Sequence, residues 1–246
     1  MVKDNVSGYK KINDGFKLGV AGFVVTGIIV VTILVLSGLN AIKDSSRLYS
    51  IFEAVRRILQ ILSMVLILNG IVEAGTETDN ANKAKLWFAI QLILYGCATV
   101  TLAFNNLINE RLYGDTSIVN YIYMFLFVMV TSISGYILYY LSYIYLMREY
   151  ENVVSVYGFD EVMHRKIWRS ELLLKVSCVI LVTTEMSFFI YICIVVGLKG
   201  VSGINRVVLL LVVLILSIAM IIRTVNYVMM LMISNKIAKE IEEISR

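Results

Sequence analysis

The 246-residue sequence contains no proline. At an average usage of about 5%, a chain of this length would hold about 12. Membrane helices tolerate proline, and many transporters break helices near the bilayer midplane to expose backbone groups. Its absence therefore points to mostly continuous helices and weighs against a site made of broken ones, although glycine can also break a helix. Histidine occurs once, at His164, and cysteine three times, at Cys97, Cys178 and Cys193, each inside an apolar run. A disulfide scaffold needs paired, loop-borne cysteines, so these read as packing residues. The acidic residues do not cluster with the thiols, which argues against a metal site. Charged residues are scarce at 16%, against about 25% in soluble domains. The net charge of +4 is scattered among short loops and forms no continuous patch, so nucleic acid is not an expected partner.

What the chain has in excess is apolar sequence: 59% hydrophobic residues and a mean hydropathy of +0.82. A helix needs about 20 apolar residues to cross about 30 Å of hydrocarbon. Six stretches approach or exceed that length, at about 18–39, 58–74, 85–104, 118–147, 172–198 and 207–233. The second is the shortest, and the fourth is longer than a bilayer requires, so it should tilt or extend into the interface. Lys10, Lys11 and Lys17 before the first run resemble the front of a signal peptide. The run is too long for that and no clean cleavage site follows, so a retained first helix is expected. The predicted fold class is all-α: a polytopic transmembrane helix bundle forming one membrane domain, with the lipid bilayer as its first partner. The location is a membrane (the cell or inner membrane for a bacterial source).

The basic residues set the expected orientation. With the N-terminus inside, fourteen lie in cytoplasmic segments and seven outside, while Arg223 falls within a span. This two-to-one bias predicts cytoplasmic N- and C-termini; Arg56 and Arg57, on the outer side, fit it least well. Leu48, Ile51, Phe52, Val55 and Leu59 recur at helical spacing and predict an interfacial helix leading into the second span. Ile233, Ile237 and Ile241 continue the last span as a short amphipathic cytoplasmic tail over 234–246, supported by Lys236 with Glu240 and Lys239 with Glu243. The segment 148–170 reads as the largest soluble loop, with a turn at Gly158 and a helix N-cap at Asp160. Asp160, Arg165 and Lys166 make it the candidate docking point for a partner. It is too small for an independent catalytic domain.

Only one carboxylate, Glu185, and one base, Arg223, lie deep in a span. Burying such a charge costs about 2.5–3.5 kcal/mol even on the lenient insertion scale, so each needs a partner. Counted from the ends of antiparallel spans five and six, the two differ in depth by about three residues, or about 4–5 Å. The expectation is a Glu185–Arg223 ion pair, with Asn226 one turn further along. It either fixes helix register or forms a polar intramembrane site. Gln91, Tyr95 and Thr99 share a face of the third span and should turn inward to bond across helices. Ser132, Gly135, Tyr136, Tyr139 and Tyr143 share a face of the fourth. Of these, Ser132, Gly135 and Tyr136 are deep enough to line a cavity, but close packing is the favoured expectation, and Tyr143 is assigned to the interfacial aromatic belt. Gly19, Gly22, Thr26 and Gly27 offer a small-residue packing surface on the first span.

No reaction is expected. The spans contain neither histidine nor aspartate, there is no catalytic dyad, and no phosphate-binding glycine loop or other cofactor motif occurs. Two functional readings remain. One is a transport-type component, channel or permease, alone as a homo-oligomer or inside a larger membrane complex, with Glu185, Arg223, Asn226, Gln91 and Tyr136 as its polar site. The other is a non-transporting scaffold, sensor or protective accessory protein acting through protein contacts.

Overall fold

The computed structural model describes the backbone of residues 2–38, 42–75, 77–112, 118–199 and 205–244, and side chains chiefly over 6–28, 54–101, 129–195 and 211–244. Six α-helices follow in order: α1 (Val2–Gly38), α2 (Ile42–Glu73), α3 (Asp79–Leu112), α4 (Ile118–Tyr157), α5 (Glu161–Lys199) and α6 (Arg206–Ile244). Among the described residues there is no strand. Each helix is unbroken, as a chain without proline allows. Each packs against its neighbours in sequence, and α6 returns to α1, so the six close into a ring.

Four stretches, Ala54–Glu73, Asp79–Thr101, Glu161–Val195 and Leu214–Ile244, are long and apolar enough to cross a bilayer. Much of the first predicted span, over 29–39, and the start of the fourth, over 118–128, lie outside the residues whose side chains are described. Leu86, Ile90, Ile93, Cys97 and Val100 form one exposed stripe along α3. Leu172, Val176, Val179, Met186, Ile190 and Ile194 do the same on α5, and Leu214, Ile218, Ile221, Val225 and Met232 on α6. Apolar area this continuous is not left facing water by a soluble monomer. It is compatible with a lipid-facing surface.

The helices are longer than a bilayer is thick. The 40 residues of α4 run about 60 Å, and at one end of the ring the helices pack around a shared core. There the N-terminal part of α1 meets the α2–α3 and α4–α5 turns and the end of α6, around a core that includes Tyr9, Ile12, Phe16, Ile67, Phe88, Leu146, Tyr150, Ile167 and Ile237. Burial pushes the Tyr9 and Tyr150 phenols far above their ordinary range, so both stay neutral. Salt bridges rim this end: Lys10 with Glu242 at 3.0 Å, Lys11 with Glu73, and Lys236 with Asp160 at 3.3 Å.

Glycine sets the closest approach in this core. A Cβ on Gly8 would lie 2.3 Å from the Ala74 amide nitrogen, and one on Gly70 would lie 2.6 Å from the Gly8 carbonyl oxygen. Backbone meets backbone here, so α1 and α2 touch more closely than side chains would permit. Gly8, Gly15 and Gly22 are spaced by seven on α1, which keeps them on one face.

Two tight turns join helices at the packed end. Gly75 (φ 65°) and Gly158 (φ 69°) occupy the left-handed region that ends a helix. At the second, the Phe159 N–H donates to the Val154 carbonyl at 3.1 Å, closing a Schellman motif. Asp160 then caps α5, its Oδ1 accepting from the Met163 N–H at 3.0 Å. That bond and Lys236 hold its carboxyl below the usual carboxylate range.

One sequence expectation is revised, and two are placed in their surroundings. The predicted loop over 148–170 is mostly helix: α4 runs on to Tyr157 and α5 starts at Glu161. The turn and cap fall where expected, but on a connection of three residues. The apolar face of the tail, Ile233, Ile237 and Ile241, is buried against the other helices. The proposed interfacial helix over 48–59 is continuous with the second span as α2, and its side chains to residue 53 lie outside the described residues.

Candidate functional site: a polar cavity inside the helix ring

A cavity of about 300 Å³ lies inside the ring. That is the lower end of the range for small-molecule sites. α1 brings Gly19 and Phe23 to it, and α2 brings Arg56, Arg57, Gln60 and Ser63. α3 brings Gln91 and Tyr95, α4 brings Ser132, Gly135, Tyr136, Tyr139 and Tyr143, and α6 brings Arg223 and Tyr227. Among the described lining residues there is no carboxylate and none comes from α5.

The cavity is closed towards the packed end. Phe16, Phe88 and Tyr227 surround the Tyr143 ring at centroid distances of 4.9–6.0 Å. A chain of hydroxyls runs beneath: Ser63 donates to the Gly15 carbonyl at 2.7 Å, Ser63 and Tyr227 are 2.9 Å apart, and Tyr227 and Tyr143 are 3.0 Å apart. Tyr143 is thus at the centre of the bundle, not in an interfacial belt. Depth along the helix suggested the belt; its rotation toward α1 and α6 places it inside. Tyr145 does sit at an edge, under Lys83 and Arg148 at 5.5 and 5.6 Å.

On the other side, α2 and α3 form a polar wall. Arg56 donates to Gln60 at 3.3 Å, Tyr95 donates to the same amide oxygen, and Arg57 donates to Thr99 at 3.2 Å while lying 6.0 Å from the Tyr95 ring centre. Tyr95 and Thr99 therefore bond across helices as the shared face predicted. Gln91 is buried and its Oε1 has no hydrogen-bond partner.

Arg223 projects into the cavity over three rings: Tyr139 at 3.8 Å, Tyr136 at 5.9 Å and Phe23 at 6.0 Å from the respective centroids. The expected contact with Glu185 is absent. Tyr136 stands in its place, donating to one Glu185 oxygen at 2.9 Å, while the other Glu185 oxygen and the Arg223 Nε have no hydrogen-bond partner. The α5–α6 register, set by Ser170 with Asn226 and by Tyr191 with Asn205, displaces Glu185 from Arg223 along the helix axes, so the depth match expected from the span ends fails, and a tyrosine of α4 takes the carboxylate instead. Each ring contact contributes about 0.5–2 kcal/mol to a cation, against a cost of about 2.5–3.5 kcal/mol for an arginine at the bilayer centre.

Of the other residues expected at the site, Asn226 is fully buried but lies outside the cavity lining. It accepts from Ser170 at 2.7 Å, and its Nδ2 has no partner. Gly135 faces open space, with nothing within 4 Å of a Cβ placed there. The Ser132–Gly135–Tyr136 face is therefore a cavity wall and not the close-packing surface expected of it. Asp160 is committed to its cap and to Lys236, Arg165 lies 4.0 Å from Glu161, and Lys166 is half-buried. Arg56, Arg57, Tyr139 and Tyr227 were not singled out as site residues. The signal for the first two was the mismatch of paired arginines with the outer side of the topology.

Comparison of the chain with protein-family models, curated proteins and solved structures finds no match in any of the three.

Proposed function

We propose that this chain is a multi-pass integral membrane protein with six spans and both termini on the cytoplasmic side. In this reading it is a transport-type component, and the cavity inside the ring is its site for a polar solute. It acts without covalent chemistry, alone as an oligomer or as a subunit of a larger membrane complex. The observation that supports transport over scaffolding is the state of the lining. The Gln91 Oε1, the Tyr139 hydroxyl and the Arg223 Nε are buried without hydrogen-bond partners around a hollow of about 300 Å³. Polar groups that serve only to hold helices together in lipid pair with one another. Groups left unpaired around a cavity are set to receive something else.

The Tyr143 layer closes the site towards the packed end, so passage requires Tyr143, Tyr227 and Phe16 to part. The test is reconstitution of the full chain into liposomes and measurement of uptake of labelled phosphate, acetate, glycine and choline. At least one solute should enter faster than the protein-free leak, with Arg223→Gln slowing it about tenfold, a loss of about 1.4 kcal/mol of barrier lowering. Uptake at the leak rate for all four solutes would reject the transport reading and leave the scaffold one.

A further inference from the structure

We infer that the cavity binds a small oxyanion, a carboxylate or phosphate group, as the counter-ion of Arg223. This rests on reading the cavity as a solute site and names the chemical class of the solute. The inference starts from the geometry of the guanidinium. The Arg223 Cζ lies over the Tyr139 ring, 3.8 Å from its centroid. A guanidinium directs its N–H bonds outward in its own plane, where a two-oxygen anion fits best. Nothing from the described protein fills that plane at Nε. The one deep carboxylate, Glu185, is turned to Tyr136 and leaves its second oxygen without a partner.

Two further buried groups face the same hollow. Tyr139 is 4% exposed, and its hydroxyl, a donor in want of an acceptor, has no partner. Gln91 is 8% exposed, and its amide is likewise incompletely bonded. The two ends of an amide exchange by a half-turn, so it presents either N–H or C=O to the ligand. Arg223, one phenolic O–H and one reversible amide, with Arg56 and Arg57 also in the lining and no described lining carboxylate, make a site of donors. A cation would meet like charge there, and a neutral solute would leave Arg223 uncompensated. An oxyanion accepts from the guanidinium and the phenol, and from the amide after its half-turn.

A free anion and the phosphate of an anionic lipid share this chemistry, and the experiment separates them. The full chain in phosphatidylcholine nanodiscs is titrated calorimetrically with inorganic phosphate, acetate and tetramethylammonium, each in a constant chloride background. A parallel set uses nanodiscs containing phosphatidylglycerol. Heat from phosphate or acetate but not tetramethylammonium is expected, weakened about tenfold in Arg223→Gln and less in Arg223→Lys, which keeps the charge but loses the fork. If Arg223→Gln does not fold, Tyr139→Phe keeps the ring and removes the hydroxyl, and a several-fold weakening is expected. Binding in phosphatidylcholine that phosphatidylglycerol abolishes assigns the site to the lipid headgroup; binding that persists in both assigns it to the free anion. Absence of anion binding in phosphatidylcholine, or binding that neither Arg223→Gln nor Tyr139→Phe weakens, overturns the inference. Uptake of choline or glycine by the same protein would then leave the transport reading intact. Anion binding without uptake would do the reverse.

Discussion

Replacing Gly8 by alanine adds one methyl group where two helix backbones already touch. The new Cβ would lie 2.3 Å from the Ala74 nitrogen, 2.6 Å from the Ala74 Cα and 2.6 Å from the Gly70 carbonyl oxygen. Carbon atoms rest about 3.5–4.0 Å apart, so α1 and α2 must separate by about 1 Å over this contact. None of the three atoms is a side-chain end that swings away. Overpacking of this kind costs about 1–3 kcal/mol, and the better helix propensity of alanine returns about 0.5–1 kcal/mol. The expected net loss is about 1–2 kcal/mol, or about 2–8 °C in midpoint for a chain of this length. Thermal unfolding of the detergent-solubilised protein, followed by circular dichroism, measures it. Gly70→Ala should behave alike, since its Cβ would meet the Gly8 oxygen and the Ile12 nitrogen at 2.6 and 2.7 Å. Gly96→Ala is the control, because nothing lies within 4 Å of its added carbon, and no loss is expected there. A Gly8→Ala protein as stable as the parent, or a Gly96→Ala protein that loses as much, would refute the claim that backbone contact between α1 and α2 holds this end together.

Other consequences follow from the outer surface and the packed end. Cys97 and Cys193 are exposed on α3 and α5 among apolar neighbours. In nanodiscs neither should react with a charged, water-borne maleimide, because attack requires a hydrated thiolate, and both should react once the chain is denatured in dodecyl sulfate. Rapid labelling of the native protein would mean that this surface faces water. Asp160 gives a dependence on pH. Its carboxyl is held below the usual carboxylate range by the Met163 N–H and Lys236, so its contribution is complete above the ordinary carboxylate pKa and is lost as pH falls through the lower, folded value. The melting midpoint of the parent should therefore fall in acid more than that of Asp160→Asn, and equal slopes would show that the cap and the Lys236 contact carry no linkage.

The individual helices were legible from local chemistry. Apolar runs of sufficient length, no proline and Gly158 before Asp160 all act within a few residues of one another, and the six continuous helices and the capped turn follow from them. The helix ends were less legible. An amphipathic helix projecting past a bilayer looks, in sequence, like a polar loop, and only the packing of Val153, Met163 and Ile167 shows why 148–170 stays helical.

Polar encounters across helices are another matter. Counting at 1.5 Å per residue places a side chain along its own helix, but neither the slide of one helix against the next nor the turn of about 100° per residue is fixed until the helices pack. Gly8 and Gly70 let α1 and α2 close to backbone contact, and the ring then places Tyr136 between Glu185 and Arg223. Composition and periodicity thus determined that this chain is a set of long, mostly apolar helices; tertiary packing alone decided that Arg223 faces a hollow instead of Glu185.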